Sequence, residues 1–310
     1  SNSPCYALRI TRYVSRILIG VRSLLNIREF HYPQTTDEIL DILSKNRDEK
    51  FVNIPVAGST AVIFSKNPSV KGFVDINRAG LNYIKQEGNT VKIGAATTVQ
   101  KISESELINN MAGGVLARAA SRVGSRLIRN VCTIGGNIVA LRIWSDLPVA
   151  LLALNGSVEI RNSEKKRIIS VEELIQKRPS KELSSQDLIT EIIIPVPSCQ
   201  TKGGFIKFSR TNFDYTLMDL AVSIEFDASV IKDCRLAISG VTSVPQRFIE
   251  IENLLKGNTL NETLIEHVAK QAEEKITPLK SFRAPGDYRK YLTGVLIKRL
   301  LSSTGGNCRS

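Results

Sequence analysis

Histidine is nearly missing from this chain. His31 and His267 are the only two in 310 residues, which leaves a histidine-based triad or metal centre almost no material. Clustered cysteine is missing as well: Cys5, Cys132, Cys199, Cys234 and Cys308 stand far apart with no C-x-x-C pair. That scatter argues against an iron–sulfur cluster or zinc site within the chain, and together with the odd number it points to a reducing, cytoplasmic compartment. There is no P-loop and no G-x-G-x-x-G turn, so any nucleotide must be held by other means. No apolar run approaches the ~20 residues of a membrane span. No block of like charge carries interleaved aromatics, which makes a nucleic-acid partner a poor fit.

What is present reads as ordinary globular protein. The chain is 42% apolar and 23% charged, and its length allows two or three compact units. The formal net charge of +12 suits an acidic partner or a polyanion, although a solvated basic face is the plainer reading. Residues 1 to about 25 stand apart: Arg9, Arg12 and Arg16 recur at helical spacing among Leu8, Ile10, Val14, Ile17 and Leu18, with no acid before Glu29. A membrane-surface helix, a transit-like peptide, a docking arm and a plain upstream extension all fit that pattern.

The chemistry gathers in two glycine segments. The first, Val56-Ala57-Gly58-Ser59-Thr60-Ala61, follows the apolar strand expected over Phe51–Val56; the second is Thr133-Ile134-Gly135-Gly136-Asn137, followed by Ser145-Asp146. Bare glycine turns let a backbone lie against a ligand, and two of them at strand ends can offer amide N–H groups to one diphosphate from two sides. Thr133 and Asn137 add a hydroxyl and an amide, and Asp146 adds an acceptor suited to a ribose hydroxyl or an amino group. A helix is expected from Leu116 to Leu127, with Leu116, Ala120, Val123 and Leu127 inward and Arg118, Arg122, Arg126 and Arg129 on the opposite stripe. That stripe suits phosphate, an acidic neighbouring subunit, or solvent.

The pair of glycine segments, with Ser145-Asp146 at that distance behind the second, resembles the FAD-binding medium subunit of the molybdenum hydroxylases, the xanthine dehydrogenase and aerobic carbon monoxide dehydrogenase flavoproteins. The resemblance runs from about residue 27 to residue 300. It implies an α+β chain: a two-lobed FAD-binding domain of the vanillyl-alcohol oxidase/PCMH-like type, then a C-terminal domain of a small antiparallel sheet with helices. It divides the chain into an N-terminal extension (1–26), a first lobe (27–85), a second lobe (86–200), a C-terminal flavoprotein domain (201–302) and a tail (303–310).

By the same resemblance FAD is the cofactor, and Val56, Ala57, Gly58, Ser59, Thr60, Ala61, Thr133, Ile134, Gly135, Gly136, Asn137 and Asp146 bind it. An apolar position in the strand Leu188–Pro195, Ile189 or Thr190, packs on its flavin side. Lys207, in Gly203-Gly204-Phe205-Ile206-Lys207-Phe208, approaches the cofactor, where a cation stabilises a reduced anionic ring. No catalytic residue and no metal ligand is expected in the chain itself. The implied partners are a [2Fe–2S] small subunit and a molybdopterin-binding large subunit, with NAD or another acceptor taking the electrons.

Two positions depart from the family pattern: Ser59, where many members carry a second glycine or an asparagine, and Val123, where animal xanthine dehydrogenases carry an aromatic residue over the flavin. Asp214 and Asp219 match the pattern of the C-terminal domain, either as catalytic carboxylates or, more simply, as a polar turn before a strand. The competing readings are a stand-alone flavin oxidase of the vanillyl-alcohol type and a basic nucleic-acid-binding protein. The former is favoured by a covalent flavin link, for which only His31, His267 or the scattered cysteines are available.

Overall fold

The computed structural model describes residues 27–47, 50–64, 67–281 and 283–305; the arginine-rich reading of residues 1–25 lies outside them. Three sheets make up the architecture. The first has order β1-β3-β2 and is wholly parallel: β1 (Glu29–His31) and β2 (Val52–Val56) flank β3 (Val70–Asp75). Parallel neighbours need a crossover, and the helix Thr36–Ser44 supplies one between β1 and β2. Thr35 caps it, accepting the Glu38 N–H at 3.2 Å, and Asp37 and Glu38 face the positive end of the helix. Ile39, Leu40 and Leu43 are the buried side.

The second sheet is antiparallel, with β4 (Ile84–Glu87), β5 (Thr90–Gly94), β6 (Ser157–Arg161), β7 (Lys166–Ser170) and β8 (Leu188–Pro195) in the order β4-β5-β8-β6-β7. The stretch Gln86–Asn89 reads as a turn in the sequence, yet only Gly88 and Asn89 turn; Gln86 and Glu87 pair with Val91 and Thr90. Helices cover this sheet. The apolar pattern over Val99–Ile108 folds as two short helices, Val99–Glu104 and Glu106–Asn109, because Ser105 ends the first and caps the second. Asn46 ties the first sheet to the second: its amide donates to Asn53 O at 2.8 Å and to Ser185 O at 2.7 Å.

The third sheet, β12-β11-β10-β9, is an antiparallel meander of β9 (Thr201–Phe208), β10 (Met218–Asp227), β11 (Val230–Ser239) and β12 (Gln246–Arg247). Helices Ile249–Leu255, Glu262–Lys275 and Gly286–Gly305 pack on it around Leu220, Val222, Leu236, Ile251, Val268 and Leu296. Each such fully buried aliphatic side chain contributes roughly 1.5–3 kcal/mol.

The helix Asp146–Ala153 joins the two halves of the molecule. All eight of its residues are buried, as befits a helix with no polar face. It packs against both β10 and β11. Its only charged residue, Asp146, therefore begins a helix enclosed on every side.

Candidate functional site

The two glycine segments meet. A Cβ added to Gly58 would lie 1.7 Å from the Val131 carbonyl oxygen and 3.1 Å from the Cys132 nitrogen. No side chain fits there, so the first loop rests directly on the backbone that leads into Thr133. Thr60 and Asn137 both reach the Cys132 thiol, one from each segment. Burial pushes that thiol above its ordinary pKa, with the two hydrogen bonds opposing. Sequence reasoning leaves Cys132 out of the loops, although it directly precedes Thr133.

The loops are not equivalent. Thr133-Ile134-Gly135-Gly136-Asn137 is no free turn: Thr133 caps the helix Ile134–Ala140, and both glycines are helical. Ile134 N–H donates to Thr97 O at 3.0 Å, Gly135 N–H to Ala95 O at 3.0 Å, Gly136 N–H to the Thr133 hydroxyl at 3.3 Å, and Asn137 N–H to Thr133 O at 2.9 Å. The amides of Ile134, Gly135, Gly136 and Asn137 are thus taken up within the protein. Gly135 is required for a packing reason, since its Cβ would fall 2.8 Å from that of Ala95.

The first loop keeps its amides. Among the described residues no acceptor is found for the N–H groups of Gly58, Ser59, Thr60 or Ala61. Ser59 sits at φ +54°, a left-handed conformation that glycine and asparagine adopt most readily, which accounts for the family's preference there. In the second segment, the Asn137 side-chain oxygen is buried and has no hydrogen-bond partner. Four loop amides without an acceptor among the described residues, in backbone contact with the segment that carries an orphaned acceptor, fit a ligand with an anionic part and hydroxyl groups. A diphosphate carrying ribityl or ribose hydroxyls is such a ligand.

Asp146 and Lys207, expected separately beside a cofactor, are brought together and enclosed. Lys207 Nζ lies 3.1 Å from Asp146 Oδ1, and the two side chains are 2% and 6% exposed. The ammonium also donates to the Arg122 carbonyl at 3.0 Å and to Asp146 Oδ2 at 3.3 Å. Asp219 is the third member. It is not in a polar turn but within β10, fully buried and opposite Lys207 in the register with β9. It accepts from Thr216 Oγ1 at 2.5 Å and from Ser239 Oγ at 3.3 Å. Burial and the neighbouring Asp146 charge raise its pKa well above the ordinary value; burial also raises that of Asp146, against the pull of Lys207. Asp214 stays at the surface loop, its pKa lowered by a 2.8 Å pairing with Arg210.

Ile189 and Thr190 lie in β8 and are 6% and 4% exposed. Ile189 joins the core, whereas the Thr190 hydroxyl donates to Glu159 Oε1 at 2.9 Å and its carbonyl accepts from Ala95 N–H at 3.0 Å. Thr190 is therefore one hydrogen bond away from the Ala95 backbone that seats Gly135. Val123 is buried, and its carbonyl accepts from Arg129 at 3.3 Å. The helix expected over Leu116–Leu127 ends at Ser121, because Gly124 takes φ +44° and Ser125 caps a new helix, Arg126–Val131. Leu127 is consequently 79% exposed rather than inward. One further feature passes unread in the sequence: Trp144, two residues before Asp146, packs its ring 4.8 Å from that of Tyr215. A lone tryptophan next to Ser145-Asp146 was the available clue.

A two-lobed α+β domain whose glycine segments meet, followed by a helix-covered antiparallel sheet, is the fold shared with the FAD-binding subunits of oxidoreductases. The family model described as the FAD binding domain in molybdopterin dehydrogenase matches residues 25–197, and that of the CO dehydrogenase flavoprotein C-terminal domain matches residues 204–304. The chain belongs to this family, as an FAD-binding medium subunit of a molybdenum hydroxylase.

It is 29% identical over 277 residues to the glyceraldehyde dehydrogenase medium chain of Sulfolobus acidocaldarius, covering 87% of this chain and 96% of that one. It is 24% identical over 275 residues to the carbon monoxide dehydrogenase medium chain of Afipia carboxidovorans, covering 87% and 94%. In fold it is similar to a carbon monoxide dehydrogenase structure from Hydrogenophaga pseudoflava, with a TM-score of 0.83 at 23% identity over 91% of this chain and 99% of that one. No helix among the described residues is long and apolar enough to cross a membrane.

Proposed function

We propose that this subunit carries electrons from a [2Fe–2S] partner to its FAD and on to NAD or another acceptor, the partner receiving them from a molybdopterin subunit that oxidises a small molecule such as an aldehyde or a heterocycle. The observation that carries the reading is the contact of Gly58 with Val131, which brings two segments far apart in the chain against each other. Bound FAD supplies the redox chemistry; the protein has to bind, orient and tune it.

In this reading the residues divide by what they can offer. Ala57, Gly58, Ser59, Thr60 and Ala61, continuing from Val56, present amide donors to the diphosphate. Thr133, Ile134, Gly135 and Gly136 build the opposite wall, and Asn137 accepts from a hydroxyl of the cofactor. Asp146, Ile189 or Thr190, and Lys207 stand at the flavin end, Lys207 as the positive charge that favours the reduced ring. Residues 27–85 and 86–200 act as the two lobes and 201–302 as the covering domain.

The partner reading has its own support. The helix Arg126–Val131 next to the cleft has no buried residue, and Leu127, Ile128 and Val131 are 79%, 44% and 47% exposed. Exposed apolar side chains grouped on one helix and rimmed by arginines suit a protein surface of complementary charge. Co-expression with the neighbouring subunits, purification and measurement of bound flavin test the proposal. FAD at one per chain, with reduction by the partner's substrate, is expected. A protein free of flavin at every stage overturns it, and flavin that stays with the denatured chain favours a stand-alone oxidase instead.

A further inference from the structure

Three ionisable groups are enclosed where the helix Asp146–Ala153 meets β9 and β10, and their charges do not balance if all three ionise. Asp146 is 4% exposed, Asp219 is 0%, and the Lys207 side chain is 2%. Two carboxylates against one ammonium would leave an uncompensated negative charge in a buried junction, which is strongly unfavourable. Asp219 stands opposite Lys207 where β9 pairs with β10, and Lys207 Nζ lies 3.1 Å from Asp146 Oδ1, so two buried carboxyl groups gather around one ammonium and need a proton between them. The other contacts fix where it resides. Asp146 has the lysine, whereas Asp219 has only neutral hydroxyls, those of Thr216 and Ser239, besides its fellow carboxyl. The nearby Arg283 is directed elsewhere, to the carbonyls of Thr216 and Tyr215 at 2.7 and 2.6 Å. The charged groups facing Asp219 are therefore Asp146 from the helix and Lys207 from β9, with none contributed by β11.

We propose that Asp219 is a positioning residue of the flavin site: it holds one proton that it shares with Asp146, and the resulting neutral unit of Asp219, Asp146 and Lys207 fixes the lysine and the Asp146 carboxylate in place. This rests on the reading of Asp146 and Lys207 as cofactor-side residues. Its physical content is separate: one proton, two carboxyl groups, one cation. Loss of the proton would add a negative charge beside Lys207 and weaken whatever that cation stabilises.

Infrared spectroscopy and redox titration test this on the flavin-loaded complex. At neutral pH the wild type shows the carbonyl stretch of a protonated carboxylic acid, shifted on exchange into D2O, and Asp219→Asn lacks it. The flavin midpoint potentials of the two coincide at acid pH; at alkaline pH the wild type falls below Asp219→Asn, whose amide still donates to Asp146 and has no proton to lose. Asp219→Ala binds flavin several-fold more weakly, and Asp219→Asn restores it. A wild type without the acid band, or with the same band in Asp219→Asn, overturns the shared proton. Parallel potentials across the pH range overturn the positioning role. If the chain binds no flavin at all, the infrared measurement still decides the proton, and only the flavin assignment fails.

Discussion

Gly58 and Val131 touch backbone to backbone: a Cβ on the glycine would sit 1.7 Å from the valine carbonyl oxygen. Neither atom of that contact can rotate away, as a side chain could. Gly58→Ala therefore has to push the first loop off the second, which costs between about 1 and 3 kcal/mol of stability and opens the cleft. Urea unfolding and flavin content measured on the same preparation check this, with Gly286→Ala as control. Gly286 has open space around its Cβ position, and its substitution is expected to leave both within error.

Leu127→Ser separates folding from assembly. At 79% exposure the leucine contributes almost nothing to the isolated fold, so stability changes by less than about 0.5 kcal/mol. If the helix Arg126–Val131 meets a partner, the variant weakens complex formation, visible as free subunit in size-exclusion chromatography after co-expression. Unchanged assembly would remove this helix from the interface.

Glu252 ties the C-terminal domain to the helix Val171–Lys177 through Arg247. Its carboxylate, 1% exposed, accepts from Leu236 N–H at 2.9 Å and from Arg247 Nε at 3.0 Å, and Arg247 continues to Glu172 at 3.4 Å. Glu252→Ala orphans a buried amide and an enclosed guanidinium, a loss of about 3–5 kcal/mol. Thermal and urea unfolding read it directly. A loss under about 1 kcal/mol, the scale of an exposed ion pair, would show that the network is solvated.

Asp219 also predicts a pH dependence of stability. Its pKa is raised in the folded state, so the folded protein keeps a proton that the unfolded chain releases above the ordinary carboxylate value of about 3.9. Folded binds more protons than unfolded, and the contribution falls as pH rises from there toward the folded pKa. The stability difference between wild type and Asp219→Asn should therefore shrink steadily from about pH 4 upward. Urea midpoints at several pH values measure it, and a constant difference counts against a buried neutral carboxyl.

Local pattern carried much of the fold. β-branched content and a closing proline mark Leu188–Pro195 as a strand, a threonine followed by acids opens the helix near Thr36, and the apolar run Pro148–Leu154 reads as the helix observed over Asp146–Ala153. Where one residue's backbone angle decided the outcome, pattern failed. Gly124 at φ +44° and the Ser125 cap break the helix expected to reach Leu127, and Thr133 turns a supposed loop into a helix start. Helical periodicity cannot register a break that leaves the spacing of apolar residues intact.

The sequence by itself determined the residue types and their order: two glycine segments, few histidines, scattered cysteines, a lysine in one strand and an aspartate before an apolar helix. Short-range physics suffices for these, since a bare backbone and a strand rhythm are properties of neighbours along the chain. Only the tertiary structure decided that Gly58 rests on Val131, that the amides of Ile134, Gly135, Gly136 and Asn137 already have acceptors, and that Asp146, Lys207 and Asp219 share one closed junction. Those are matters of desolvation and of contact between residues distant in sequence, and they exist only once the sheets and the central helix have packed.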